Sequence, residues 1–227
     1  MHTLRNPAVA ALLDELFADA TRADAPLMAR MQAMPADERR ALLADYKALY
    51  GAAVEAYLPV SREAGVLLYQ LARARDAHTI VEFGTSFGIS TIYLAAALRD
   101  GGGGRLVTSE LEPSKAARAR ANLERAGLAD LVEFRVGDAL DTLRPKPGDA
   151  PIDLLYLDGA KALYREVLEL VERQLADRAV IVADNIDMAE LVAPFTSYVR
   201  NPDNGYLSNR VVIGEGLELT LRVGSAG

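Results

Sequence analysis

The sequence predicts an α/β protein: a doubly wound, mostly parallel sheet with helices on both faces and extra helices ahead of it. Three observations point there. From residue 79 onward, short apolar runs alternate with stretches at helical spacing, as strand–helix units do. The first 75 residues carry helical periodicity only. The chain closes on two strand candidates, Tyr206–Ile213 and Leu217–Val223, joined at Gly214–Gly216.

Asn6-Pro7 starts the first helix, because Asn caps and Pro fits a first turn. Val9, Leu12, Leu13, Leu16 and Phe17 follow at the helical period. Pro26 and Pro35 are expected to break it, since proline lacks the amide a helix interior needs. A second stripe, Leu42, Leu43, Tyr46, Leu49, Tyr50 and Val54, runs to Pro59. Its large side chains suit helix packing, or else a lid or dimer surface. Val66 to Leu71 leads into the first strand, Thr79–Phe83. Then come a helix at Ile89–Leu98, a turn at Gly101–Gly104 and a strand at Arg105–Ser109. A helix at Pro113–Ala126 stops at Gly127, and strands follow at Val132–Val136 and Ile152–Leu157. Ala162–Leu175 reads as a helix with Leu163, Val167, Leu170 and Val171 on one face. Ala179–Ala183 is a strand, and Met188–Arg200 a helix despite Pro194.

Composition narrows the chemistry. The chain has 227 residues, 51% hydrophobic and 25% charged, which is globular rather than disordered. A chain of this size buries roughly 70% of its unfolded surface and needs no staples. It has no cysteine, which removes disulfides, thiolate zinc sites and thiol nucleophiles. With only His2 and His78, any metal must be held by oxygen ligands. The net charge of −7 counts against nucleic acid, whose binding needs basic surface. No apolar run reaches the roughly 18 residues of a membrane span, and residues 1–7 lack a signal-peptide start. A soluble cytoplasmic protein is expected.

Parallel sheets bind ligands at the carboxyl ends of their strands. After the first strand stands Glu82-Phe83-Gly84-Thr85-Ser86-Phe87-Gly88, whose glycines let the backbone turn tightly against a ligand. Glu82 sits where the dinucleotide pattern would have a glycine, and its charge suits an amino group or cation better than a pyrophosphate. Glu110, after the second strand, suits the hydroxyls of a ribose. Asp138, after the third, suits an adenine amino group. After the fourth and fifth come Asp158-Gly159-Ala160-Lys161 and Asp184-Asn185. Two carboxylates and a carboxamide at neighbouring strand ends form a hard-cation donor set, such as Mg²⁺ takes. Lys161, three residues past Asp158, can turn into the same crevice or simply pair with it as a surface ion pair.

With these residues in place, the chain resembles the cation-dependent O-methyltransferases, the group of the catechol and caffeoyl-CoA enzymes. The matching pieces are VEFGTSFGIS (81–90), TSELEP (108–113), GDA (137–139), LYLDGAKALY (155–164) and VIVADN (180–185), in the family's order and spacing. The resemblance covers roughly residues 58–223. It implies a Rossmann-like methyltransferase fold, a seven-stranded sheet with an antiparallel last strand. It divides the chain into a helical extension, 1–57, serving as lid or dimer contact, and an S-adenosylmethionine-dependent methyltransferase domain, 58–227. By position it implies Glu82, Gly84 and Ser90 on the methionine side of S-adenosylmethionine with Val60 nearby, Thr85 and Asp158 also among the cofactor contacts, Glu110 on the ribose, and Asp138 and Ala139 at the adenine. It also implies Asp158, Asp184 and Asn185 as ligands of Mg²⁺ or a similar divalent cation, and Lys161 as general base. GLE at 216–218 resembles a segment that faces the substrate in the catechol enzyme. Where that enzyme has bulky residues between its metal-binding Asp and its Lys, this chain has Gly159 and Ala160, which is expected to open the pocket.

The implied activity is methyl transfer to a hydroxyl, vicinal or phenolic, of a small molecule by a homodimer. The chemistry is coherent: a cation lowers the pKa of a bound hydroxyl, a nearby lysine takes the proton, and alignment of oxygen with methyl supplies much of the rest. Three other readings are a methyltransferase acting on a tRNA hydroxyuridine, an NAD-dependent oxidoreductase, and a non-catalytic binding protein of this fold. Charge opposes the first and Glu82 with the Asp-Asp-Asn set opposes the second. Turnover of the methyl donor separates the third.

Overall fold

The structure is a computed structural model and describes residues 2–224; residues 225–227, the end of the expected 58–227 domain, lie outside the described part. Seven strands form one sheet: β1 (Thr79–Phe83), β2 (Arg105–Glu110), β3 (Val132–Val136), β4 (Ile152–Leu157), β5 (Leu175–Ala183), β6 (Tyr206–Val211) and β7 (Leu217–Arg222). Their order is β3-β2-β1-β4-β5-β7-β6. The first five run parallel, and β7 inserts antiparallel between β5 and β6.

Nine helices surround it among the described residues: α1 (Pro7–Ala33), α2 (Ala36–Ala44), α3 (Tyr46–Ala52), α4 (Arg62–Ala74), α5 (Ile89–Asp100), α6 (Pro113–Arg125), α7 (Ala139–Thr142), α8 (Tyr164–Val171) and α9 (Ala189–Arg200). No helix among the described residues is long and apolar enough to cross a membrane.

The strand side chains alternate between two cores, because successive residues of a strand point to opposite faces. Ile80, Leu106, Leu154, Tyr156 and Val182 face the first core, with α1, α4, α5 and Leu123 of α6. Val81, Phe83, Val107, Leu155, Leu157, Ile181 and Ala183 face the second, with α8 and α9. In α5, Ile89 to Leu98 are all buried, so this helix is apolar on every side.

The N-terminal helices depart from the sequence expectation in two places. Asn6 caps α1 as expected, its side chain accepting from the Ala8 amide. Yet α1 runs straight through Pro26. The proline removes one bond, to the Arg22 carbonyl, and Arg22 is exposed, so water can satisfy that oxygen. The stripe from Leu42 to Val54 is two helices, not one. Asp45 separates them, and its side chain caps α3 by accepting from Lys47 and Ala48. The helix expected over Ala162–Leu175 is likewise shorter: β5 begins at Leu175.

The N-terminal chain connects the two faces. Val9, Leu12, Leu13 and Leu16 of α1 sit in the first core, whereas Tyr46 and Tyr50 of α3 pack against the second. In between, α2 and α3 pass over the carboxyl edge of the sheet.

Candidate active site

Gly84 follows β1 with φ 103°, a conformation that L side chains rarely adopt. A Cβ there would come within 2.6 Å of the Gly159 amide nitrogen and 2.7 Å of the Asp158 carbonyl carbon. Only glycine lets the ends of β1 and β4 approach this closely. The Asp158 amide donates to Phe83 O at 2.8 Å, and the Gly84 and Thr85 amides donate to Ser109 O.

Glu82 is wholly buried. Oε1 accepts from Ser90 Oγ at 2.6 Å, and Oε2 accepts from Thr91 and Thr108 at 2.7 and 2.6 Å. Thr85 Oγ1 lies 2.5 Å from Thr108 Oγ1 and extends the chain of hydroxyls. Burial pushes the carboxyl up to about 7 despite these three donors. Val60 is buried in the segment that leads into α4. That segment is well anchored. Asp24 accepts from the Leu58 amide at 3.0 Å, Ser86 Oγ donates to Tyr57 O at 2.7 Å, and Lys115 Nζ donates to Ala56 O at 2.7 Å.

Glu110 ends β2, also buried, with Oε2 accepting from the Ser86 amide at 2.8 Å and Oε1 from the Glu112 amide at 2.9 Å. Burial raises its pKa, against the pull of those amides and of Lys115. Asp138 caps α7, Oδ1 accepting from Leu140 N at 3.0 Å, while Oδ2 accepts from Tyr46 Oη at 2.7 Å. Ala139 is buried as the first residue of α7.

At the ends of β4 and β5, Lys161 Nζ donates to Asp158 Oδ1 at 2.7 Å. The Tyr156 hydroxyl stands between the carboxylates, 3.0 Å from Asp158 Oδ2 and 3.4 Å from Asp184 Oδ2. Asp184 Oδ1 accepts from the Asn185 amide at 2.7 Å. Asn185 has φ 55°, and its Nδ2 donates to Glu215 Oε2 at 2.7 Å. Burial, and then the charge of Asp158, pushes Asp184 up to about 7. Burial likewise raises Asp158, with Lys161 opposing.

The described residues hold no cluster of three or more His, Cys, Asp or Glu disposed for a metal ion. The donor set here is two carboxylates and an amide oxygen, and it fits a hard cation on electrostatic grounds. Two buried carboxylates face one another with a single ammonium, which bonds Asp158 alone, and hard oxygen donors of this kind suit such a cation. The bond from Nδ2 to Glu215 leaves the amide oxygen of Asn185 as the end available for a cation.

The structure therefore brings Glu82, Gly84, Thr85, Ser90, Glu110, Asp138, Ala139, Asp158, Lys161, Asp184 and Asn185 to one edge of the sheet. Two expectations fail. Glu218 of GLE does not face this cleft: it is buried in β7 and held by Arg200 and Ser208. Gly159 does not open the pocket, because the Phe83 ring fills the place where a Cβ would stand. Sequence reasoning also missed Tyr156, Lys115, Glu215 and the two tyrosines of α3. Tyr156 reads as one more apolar strand residue. The spacing of Lys115 from Glu110 was the only available signal for that lysine.

Residues 81–186 match the family model described as a methyltransferase domain. A catechol O-methyltransferase of Niastella koreensis is 39% identical over 151 residues, 66% of this chain and 67% of that protein. One of Mycobacterium tuberculosis is 43% identical over 129 residues, 57% of each. The chain thus spans between roughly half and two thirds of these relatives' length. Among solved structures, the O-methyltransferase TomG from Streptomyces achromogenes, involved in tomaymycin synthesis and in complex with SAM, matches with a TM-score of 0.70 and 33% identity. That match covers 80% of this chain and 89% of the other.

Proposed function

The chain belongs to the S-adenosylmethionine-dependent O-methyltransferases, and from that premise we propose that it methylates a phenolic or vicinal hydroxyl of a small molecule with the help of a divalent cation. The observation that carries this reading is the buried group of Lys161, Asp158 and Asp184 joined through the Tyr156 hydroxyl. It is polar, sets two carboxylates against one ammonium and lies at the carboxyl ends of β4 and β5.

Asp158, Asp184 and Asn185 would hold the cation, Mg²⁺ or a similar one, which when bound supplies Lewis-acid polarisation of an acceptor oxygen. Lys161 is the residue placed to take the hydroxyl proton at Nζ. The acceptor oxygen then forms a bond to the methyl carbon as the carbon–sulfur bond breaks. With S-adenosylmethionine bound, the electron pair of that bond would stay on sulfur, so that S-adenosylhomocysteine would be the leaving group. Glu82 positions Ser90 and the Gly84 turn on the methionine side, and Glu110 with Asp138 takes the nucleoside. Small acceptors, a cytoplasmic setting and a homodimer complete the reading; a net charge of −7 disfavours tRNA. A panel of catechols and other phenols, assayed for methyl transfer with Mg²⁺ and after exhaustive EDTA treatment, tests it. Turnover that needs the cation is expected. Full turnover without any metal overturns the cation's role, and methylation of tRNA but of no small acceptor overturns the substrate class.

A further inference from the structure

Two tyrosines have no part in the chemistry above, yet both point into the nucleoside end of the cleft. Tyr46 Oη occupies Asp138 Oδ2, the oxygen not used to cap α7. The Tyr50 hydroxyl accepts from the Ala160 amide at 3.2 Å. Tyr50 lies close enough to Glu110, Asp158 and Asp138 to feel all three charges. These are the acids assigned to ribose, cation and adenine. The cavity left among Tyr46, Tyr50, Ser109, Leu111, Asp138 and Ala139 measures about 10 Å³. A single water needs at least that much, and pockets for small molecules begin at about 300 Å³. Protein side chains fill the space a nucleoside needs.

The element that carries these tyrosines is weakly held. Neither α2 nor α3 contains a fully buried residue, and helices of nine and seven residues are too short to persist alone. By contrast, the chain just beyond them is fixed at Ala56–Leu58 by Lys115, Ser86 and Asp24. Residues 36–52 thus lie outside that anchored point, held chiefly by Tyr46 on Asp138, Tyr50 on Ala160 and Arg39 on Met31 O.

We propose that α3 is a displaceable plug: Tyr46 and Tyr50 compete with the nucleoside of S-adenosylmethionine for one space, and cofactor binding expels them. The proposal rests on the cofactor assignment above. Its test is calorimetric titration of S-adenosylhomocysteine into the full-length wild type, Tyr46→Phe and Tyr50→Ala, with hydrogen exchange of residues 36–52. Apparent affinity scales with the open fraction, so weakening the plug tightens binding. A severalfold gain is expected for Tyr46→Phe, and about tenfold or more for Tyr50→Ala. Exchange of the α3 amides in the wild type should speed up when S-adenosylhomocysteine is added. Weaker binding by Tyr50→Ala, or α3 amides that become protected, overturns the plug and makes Tyr50 a wall of the site. Affinities unchanged in both variants also overturn it. Tyr46→Phe keeps the ring, so it decides the matter even where Tyr50→Ala fails to fold. If ligand binds neither the wild type nor the variants, the cofactor assignment fails as well; if it binds the wild type and the variants gain nothing, only the plug fails.

Discussion

Replacing Glu82 with glutamine should change how stability depends on pH. The native carboxyl is raised from the usual 4.5 to about 7 by complete burial. At about 1.4 kcal/mol per pH unit, that displacement amounts to about 3 kcal/mol. No discount for solvent screening applies, because the side chain has no exposure. Below pH 4.5 the group is protonated in both states and contributes nothing. Between 4.5 and 7 the unfolded chain has released the proton while the native protein still holds it. The native state binds more protons there, so stability falls as pH rises. Above 7 the group is ionised in both states and the full cost of about 3 kcal/mol persists. The glutamine side chain cannot titrate, and the hydroxyls of Ser90, Thr91 and Thr108 can rotate to accept from its amide. The stability of Glu82→Gln minus that of the wild type should therefore climb by about 3 kcal/mol from about pH 4.5 to about 7.5 and then level off. Urea denaturation of both proteins at half-unit steps measures it. Carboxylates that do not interact with Glu82 cancel in the difference, Asp158 adds a small term of its own, and any packing offset of the amide is independent of pH. A difference that stays flat, or that declines with pH, would show that Glu82 is ionised throughout and that the three hydroxyls outweigh burial.

Lys161→Met keeps the aliphatic stem and removes the amine; kcat on the best acceptor should drop by roughly a hundredfold or more, with binding of S-adenosylhomocysteine almost unchanged. Near-normal kcat would make Lys161 an ion-pair partner of Asp158 and no base. Gly84→Ala forces a Cβ against the backbone of Asp158 and Gly159 at a φ of 103°, and should destabilise by about 2–5 kcal/mol in urea titrations. A loss under about 1 kcal/mol would mean that the ends of β1 and β4 are less tightly joined than the structure has them.

Much of this protein is legible from local sequence. The bounds of β1, β3 and β4 agree with the strand candidates at 79–83, 132–136 and 152–157. β1 and β4, central and buried on both faces, read as short and mostly apolar, whereas β3, at the sheet edge, alternates apolar with charged residues. The acids at the strand ends were legible for a similar reason: a parallel sheet leaves one edge for chemistry, and polar residues just past each strand can only sit there. What escaped the sequence depended on contacts between distant segments. Pro26 reads as a helix breaker, yet solvent at Arg22 satisfies the carbonyl it frees. Tyr156 reads as core, yet its hydroxyl stands between two carboxylates because β4 and β5 are neighbours in register. Glu218 resembles a substrate-facing residue, yet Arg200 on α9 claims it. Tyr46 and Tyr50 follow the period of an ordinary packing helix. Periodicity reports which residues share a face, but not what that face meets. Only the path of α2 and α3 over the carboxyl edge decided that these rings meet Asp138 and the Ala160 amide.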